Sequence, residues 1–114
     1  MMLDKVIELG LLIDFYGVLL TEKQQKALKL YYYQDLSLSE IAERLEISRQ
    51  GVYDHLHRGE DILRDYEKRM GLIAKYQFLK NEIEEMNEYI KGKSINYSIK
   101  KELRERLERI KKRL

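Results

Sequence analysis

The stretch SLSEIAERLEISRQGVYDHL, residues 37–56, packs two helix starts into twenty positions. Ser37-Leu38-Ser39-Glu40 has the form of a capping box: a hydroxyl accepts from a free backbone N–H three residues on, and a carboxylate reaches back. Leu38, Ile41, Ala42 and Leu45 follow at helical spacing, which predicts a short helix ending near Leu45. Ser48 is a further N-cap candidate. The helix it opens keeps Val52, Leu56, Gly59/Glu60 and Leu63 on one line and continues to about Met70, with Gly71 as its stop. Between the two lies a break of only Glu46-Ile47.

A short helix, a tight turn and a second helix at a steep angle make a helix-turn-helix, in which the first helix braces the second and the second offers its N-terminal end to a major groove. Ala42 is small enough for close approach, and Ile41, Leu45, Ile47 and Val52 are apolar where the two helices would touch. Glu46 stands where glycine often makes the turn. His55 stands where a branched apolar residue is common, so Leu56 is expected inward and His55 at the edge. Arg49, Gln50, Tyr53, Asp54 and His57 are left facing outward. Arg49 suits a phosphate or a guanine edge, Gln50 a bidentate pairing with adenine, and Ser48 a backbone contact. Tyr53 suits stacking or flanking the backbone, and His57 and Arg58 suit phosphates. Residues 37–58 carry three arginines against four acids, a net of −1, so this segment alone predicts weak duplex binding.

Working outward, Thr21-Glu22-Lys23-Gln24 is another capping box and predicts a helix from Glu22 to about Gln34. Tyr31, Tyr32 and Tyr33 cannot all point inward from it. One or two belong to the core or an interface, and a base-stacking platform is the alternative reading of the remainder. Residues 3–20 form the first helical segment. Leu3, Val6, Ile7 and Leu11 mark its apolar side, and the half from Leu11 on is apolar nearly all round, which calls for cover on several sides. Downstream, Leu72, Tyr76, Leu79, Ile83, Met86 and Ile90 alternate by four and three. Lys91-Gly92-Lys93-Ser94 breaks that stripe. Ile99, Leu103, Leu107, Ile110 and Leu114 form a second one, which predicts an antiparallel helical hairpin. The fold class is therefore all-α, with a helix-turn-helix domain over residues 1–70 and a C-terminal helical hairpin over 71–114.

The 114 residues allow one compact domain or a small domain with an appendage. No run approaches the roughly 20 apolar residues of a membrane span, so no membrane insertion is expected. Asp4 and Glu8 near the start, without a small-residue cleavage site, give no sign of a secretory signal. The absence of cysteine excludes disulfides, thiolate metal sites and cysteine nucleophiles, and suits a cytoplasmic protein. The net charge of +2 is uneven: residues 98–114 hold eight cations and three glutamates, a net of +5, over a body of −3. Such a tail suits an anionic partner, or is a solvated helix end whose cations offset the helix dipole.

With the motif in place, LTEKQQKALKLYYYQDLSLSEIAERLEISRQGVYDHLHRGEDIL (20–63) resembles region 4 of bacterial sigma factors, the part that reads promoter DNA. Extended back to DFYG at residue 14 and on through DYEKRM at 65–70, the sequence looks more closely like the YlxM family of small bacterial helix-turn-helix proteins. Asp14-Phe15-Tyr16-Gly17 and Ser48-Arg49-Gln50 make this likeness specific. It covers most of residues 1–90, and the tail adds little. The likeness implies an all-helical, cytoplasmic, dimeric protein whose first domain is winged-helix-like or sigma region 4-like. It also implies a role in, or regulation of, the signal recognition particle pathway, through the particle's RNA or proteins. A DNA-binding transcriptional regulator is the alternative.

No enzyme is expected. His55 and His57 are two apart, so on a helix they diverge and cannot chelate one metal as an i, i+4 pair would. No phosphate-cradling glycine loop or Ser-His-Asp set is present, and Glu82, Glu84, Glu85 and Glu88 read as a solvated face. No metal and no cofactor is expected. Apart from nucleic acid, the expected partner is a second copy of the chain, a homodimer through the apolar faces.

Overall fold

The computed structural model describes residues 2–114, with side chains from residue 4 on. Six α-helices follow one another: α1 (Met2–Tyr16), α2 (Glu22–Tyr32), α3 (Leu38–Leu45), α4 (Arg49–Met70), α5 (Leu72–Lys91) and α6 (Tyr97–Lys112), with one 3-10 turn (Gly17–Leu19) after α1. The chain forms two units, one reaching to Ile73 and one running from Ala74 to Leu114. No strand forms among the described residues, as an all-α helix-turn-helix protein requires.

Local side-chain chemistry sets the helix starts. The Thr21 hydroxyl accepts from the Gln24 N–H at 3.2 Å, and the Gln24 amide oxygen accepts from the Thr21 N–H at 3.3 Å. Ser37 and Glu40 repeat the exchange at 3.1 and 3.0 Å. Ser48 accepts from the Gly51 N–H at 2.9 Å, but with glycine three residues on nothing reaches back. Each such cap stabilises its helix by about 1 kcal/mol.

The bend after α3 has a specific cause. Glu46 adopts φ 56°, ψ 44°, the left-handed conformation in which a side chain costs about 1–2 kcal/mol. The Ile47 N–H then reaches back to the Ala42 carbonyl at 3.1 Å, the 6→1 bond of a Schellman turn. The chain is thereby turned into the Ser48 cap. At the far end of α4, Gly71 takes φ 63° without that penalty. Asp35, just past α2, is left-handed as well, and α2 stops at Tyr32, two residues short of the position the sequence predicts.

The core of the first unit gathers Leu9, Leu12, Ile13 and Tyr16 of α1, Ala27 and Leu28 of α2, Ile41 of α3, and Val52, Leu56 and Leu63 of α4. Ala42, Leu45 and Ile47 pack against it half-buried, which seats α3 on α4 as the motif requires. Helices α2 and α4 approach closely at Gly59, where a Cβ would stand 2.8 Å from Leu28 Cδ1. The inner side of α1 departs from the sequence reading. Val6 and Ile7 are 40 and 57% exposed, and the buried stripe is Leu9, Leu12, Ile13 and Tyr16. The Leu3 side chain lies outside the described residues. A helix apolar nearly all round offers more than one stripe at the right spacing, and tertiary packing chose the one through Tyr16.

Tyr16 does more than fill volume. Its hydroxyl donates to the Glu67 carboxylate at 2.6 Å and accepts from the Leu72 N–H at 3.1 Å. The same carboxylate oxygen accepts from the Ile73 N–H at 2.9 Å. The free amides at the start of α5 are thus satisfied by groups from α1 and α4. Burial, and then the bond to Glu67, push the Tyr16 hydroxyl pKa above the usual tyrosine value.

In the second unit, α5 and α6 form the expected hairpin over a small core of Ile83, Ile90 and Leu107. The Asn96 side chain caps α6 by accepting from the Ser98 N–H at 2.7 Å, and the Lys100 ammonium donates to the Lys91 carbonyl at 3.1 Å. The two stripes are only partly used. Met86 on α5, and Ile99, Leu103 and Ile110 on α6, stay exposed. None of the helices of the described residues is long and apolar enough to cross a membrane.

Candidate nucleic-acid interface

The buried line Val52, Leu56, Gly59 and Leu63 fixes which side of α4 faces out. All seven residues the sequence singles out are exposed: Ser48, Arg49, Gln50, Tyr53, Asp54, His57 and Arg58. They share one face because 49, 53 and 57, and 50, 54 and 58, are successive i, i+4 positions. Leu56 is buried and His55 half-buried, as the spacing predicts.

Within that face the residues are not equally free. Ser48 spends its acceptor on the cap, but its hydroxyl proton can still donate to a phosphate. The Gln50 amide donates to Asp54 at 3.1 Å, so pairing with an adenine edge requires that bond to be exchanged. The Tyr53 and His57 rings are parallel to within 4° with centroids 5.9 Å apart. His57 Nε2 lies 3.7 Å from Asp61, an ion pair only when the imidazole is protonated. Among the described residues neither Arg49 nor Arg58 makes an ion pair.

The field of the face is close to balanced, with Arg49 and Arg58 set against Asp54 and Asp61. The start of α4 is the exception. The first turns of α2 and α3 carry Glu22 and Glu40, which offset the positive end of the helix dipole, whereas the first turn of α4 carries no acid. Arg49 therefore sits at an uncompensated positive end. The surface can hold an anion at the α4 N-terminus and offer flat rings and amide groups along the next two turns.

The family described as "Putative helix-turn-helix protein, YlxM / p13 like" matches residues 3–109. The chain belongs to this UPF0122 family. A UPF0122 protein of Caldanaerobacter subterraneus subsp. tengcongensis is 51% identical over 87 residues, covering 76% of this chain and 74% of its own. One from Geobacillus kaustophilus is 47% identical over 89 residues, covering 78 and 81%. One from Acetivibrio thermocellus is 46% identical over 114 aligned positions, covering 95 and 97%. The UPF0122 match runs through most of α6, so the likeness is not confined to residues 1–90 as the sequence reading has it; the hairpin is part of the family pattern.

What the sequence does not reveal is the company of this face. Lys5, Tyr31, Tyr32 and Glu60 come to its flank from α1, α2 and the next turn of α4. Glu60 accepts a hydrogen bond from the Tyr32 hydroxyl and lies 3.9 Å from the Lys5 ammonium. Burial and that carboxylate push the Tyr32 hydroxyl pKa well above the usual tyrosine value. The one hint in the sequence is the run of three tyrosines at 31–33, whose outward member has no core role to play.

Proposed function

We propose that the protein is a non-enzymatic accessory protein that binds nucleic acid through the outward face of α4 and acts in the cytoplasm in the signal recognition particle pathway, through the particle's RNA or proteins. The observation carrying this reading is the first two turns of α4. The left-handed Glu46 and the Ser48 cap present Arg49, Gln50, Tyr53, Asp54, His57 and Arg58 to solvent, while Val52 and Leu56 hold the other side in the core. Arg49 and Arg58 supply phosphate contacts, Ser48 donates to the backbone, and Gln50 and Tyr53 meet base edges or faces. The protein works as a homodimer through exposed apolar residues such as Val18 (80% exposed) and Leu19 in the first unit, or the open stripes of the second.

With two unpaired arginines on the face, log affinity should fall with log salt at a slope of about −2, since each neutralised phosphate contributes roughly −0.9. A much steeper slope assigns the cations of α6 to the contact as well. The deciding experiment is a pull-down with reversible crosslinking that reads both RNA and protein partners, repeated with Arg49→Ala and Gln50→Ala. Recovery of the particle's RNA or its proteins, lost in Arg49→Ala, supports the reading. A blank gel shift at low salt for both duplex DNA and structured RNA removes nucleic acid from it. A second reading, a DNA-binding transcriptional regulator, is favoured by the sharp turn into α4, which suits a helix laid in a major groove. It requires a preferred duplex sequence and no capture of particle components. Sedimentation as a monomer counts against the dimer in either case.

A further inference from the structure

A cleft of about 260 Å³ opens beside the outward face of α4, walled by Lys5, Tyr31, Tyr32, Tyr53, His57 and Glu60. Its volume falls just below the range of about 300–1,000 Å³ typical of small-molecule sites, so it suits one flat ring system and not a whole dinucleotide. Four of those six residues carry rings. Tyr53 and His57 lie parallel, and Tyr31 meets Tyr32 edge-on at 4.9 Å and 82°. Tyr53 is 52% exposed, so the ring is available for stacking and is not a strut of the core. The Glu60 carboxylate, which accepts from the Tyr32 hydroxyl and lies 3.9 Å from the Lys5 ammonium, keeps further lone pairs for the edge of a base. Arg49 stands one turn before Tyr53, and Arg58 follows directly after His57, so cations lie along the helix on either side of the ring pair.

We propose that this cleft takes a single unpaired nucleobase of a structured RNA, stacked in line with the Tyr53 and His57 rings, with Arg49 or Arg58 on a flanking phosphate. The inference rests on the reading above that this face of α4 binds nucleic acid, and it narrows that reading to RNA with a bulged or looped base. Bases inside a duplex have both faces stacked and their pairing edges engaged, whereas sequence-specific RNA recognition works on splayed bases held by aromatic side chains. The Glu60 acceptor favours a base edge rich in N–H donors, guanine ahead of uracil, whose carbonyls would face the carboxylate. The flanking guanidiniums favour a phosphate-bearing occupant over an aromatic side chain of a protein.

The test uses the full chain and two RNA hairpins with the same stem, one fully paired and one with a single bulged guanosine, read by fluorescence anisotropy. The bulged RNA should bind more tightly, by roughly 5- to 150-fold, the range for one base stacked on an aromatic ring. Tyr53→Ala should abolish most of that preference by weakening the bulged RNA far more than the fully paired one, with an unaltered thermal melt as the check on folding. Tyr53→Phe should keep the preference, and a bulged uridine should bind severalfold more weakly than guanosine. Equal affinity for the two RNAs, or equal weakening of both by Tyr53→Ala, overturns the proposal. That is the result expected if the cleft serves a protein side chain or Tyr53 merely touches the backbone. Binding to duplex DNA with none to either RNA overturns it and leaves α4 as a nucleic-acid surface. Binding to no nucleic acid overturns both.

Discussion

The two units bury their apolar residues to very different degrees. In the unit that reaches to Ile73, helices α1 to α4 and the first turn of α5 contribute to one continuous core. In the unit from Ala74 on, Ile83, Ile90 and Leu107 make up the buried cluster. The left-handed residues other than glycine, Asp35 and Glu46, both lie in the first unit. A backbone conformation that costs free energy persists only where surrounding contacts over-determine it. The well-packed unit can therefore hold a strained turn, and that turn is what aims α4. The hairpin holds none and keeps open apolar faces instead. Precision of aim and adaptability of surface are thus divided between the units.

The sharpest way to break this comparison is to make the same substitution in each. Leu63→Ala should cost about 3–4 kcal/mol, because the buried site cannot collapse. Leu107→Ala should cost about 2 kcal/mol, the low end for such a truncation, because the thin hairpin relaxes around it. Denaturant unfolding with hydrogen exchange of the α6 amides measures both. Equal costs would mean the hairpin is as tightly specified as the core. Next in size, Glu46→Gly should stabilise by about 0.5–1 kcal/mol, since relief of the left-handed side chain outweighs the added entropy of glycine. Gly71→Ala, also at positive φ, should shift stability the opposite way by a similar amount. A destabilised Glu46→Gly would show that the turn carries no strain for the first unit to hold.

The smallest effect concerns acid. The Ser37 N–H, and then its hydroxyl, hold the Glu40 carboxyl below the usual glutamate range. A depressed folded pKa means this contribution is fully present above the unfolded value and is lost as pH falls through the folded one. The cap of α6 is Asn96, which does not titrate. Amide shifts around Ser37 and Glu40 should therefore follow acidification below the usual glutamate range, while those at Asn96 and Ser98 stay fixed.

The parts that were legible in the sequence are the parts decided locally. Thr21, Ser37, Ser48 and Asn96 bond amides two or three residues away, and the first three announce their helix starts by spacing alone. The outward face of α4 follows from period and from Val52, Leu56 and Gly59 opposite. The inner side of α1 was not legible, because Val6 and Ile7 fit a helical stripe as well as Leu9 does, and only docking against α2 and α4 separates them. The ring-lined cleft was not legible either. Lys5, Tyr31 and Glu60 are scattered across the chain, and no periodicity within one helix brings them together.

Tyr16 and Glu67 carry a consequence for the order in which the molecule is assembled. The Leu72 amide, in the first turn of α5, bonds a phenol from α1 that lies 56 residues earlier, and the Ile73 amide bonds Glu67 of the adjoining helix. As the polypeptide emerges during synthesis, Ile73 finds Glu67 close by in the chain, but Leu72 gains its partner only once the first and fourth helices have met. Closure of the earlier unit thus completes the first turn of α5, and a Tyr16→Phe chain should fray there first.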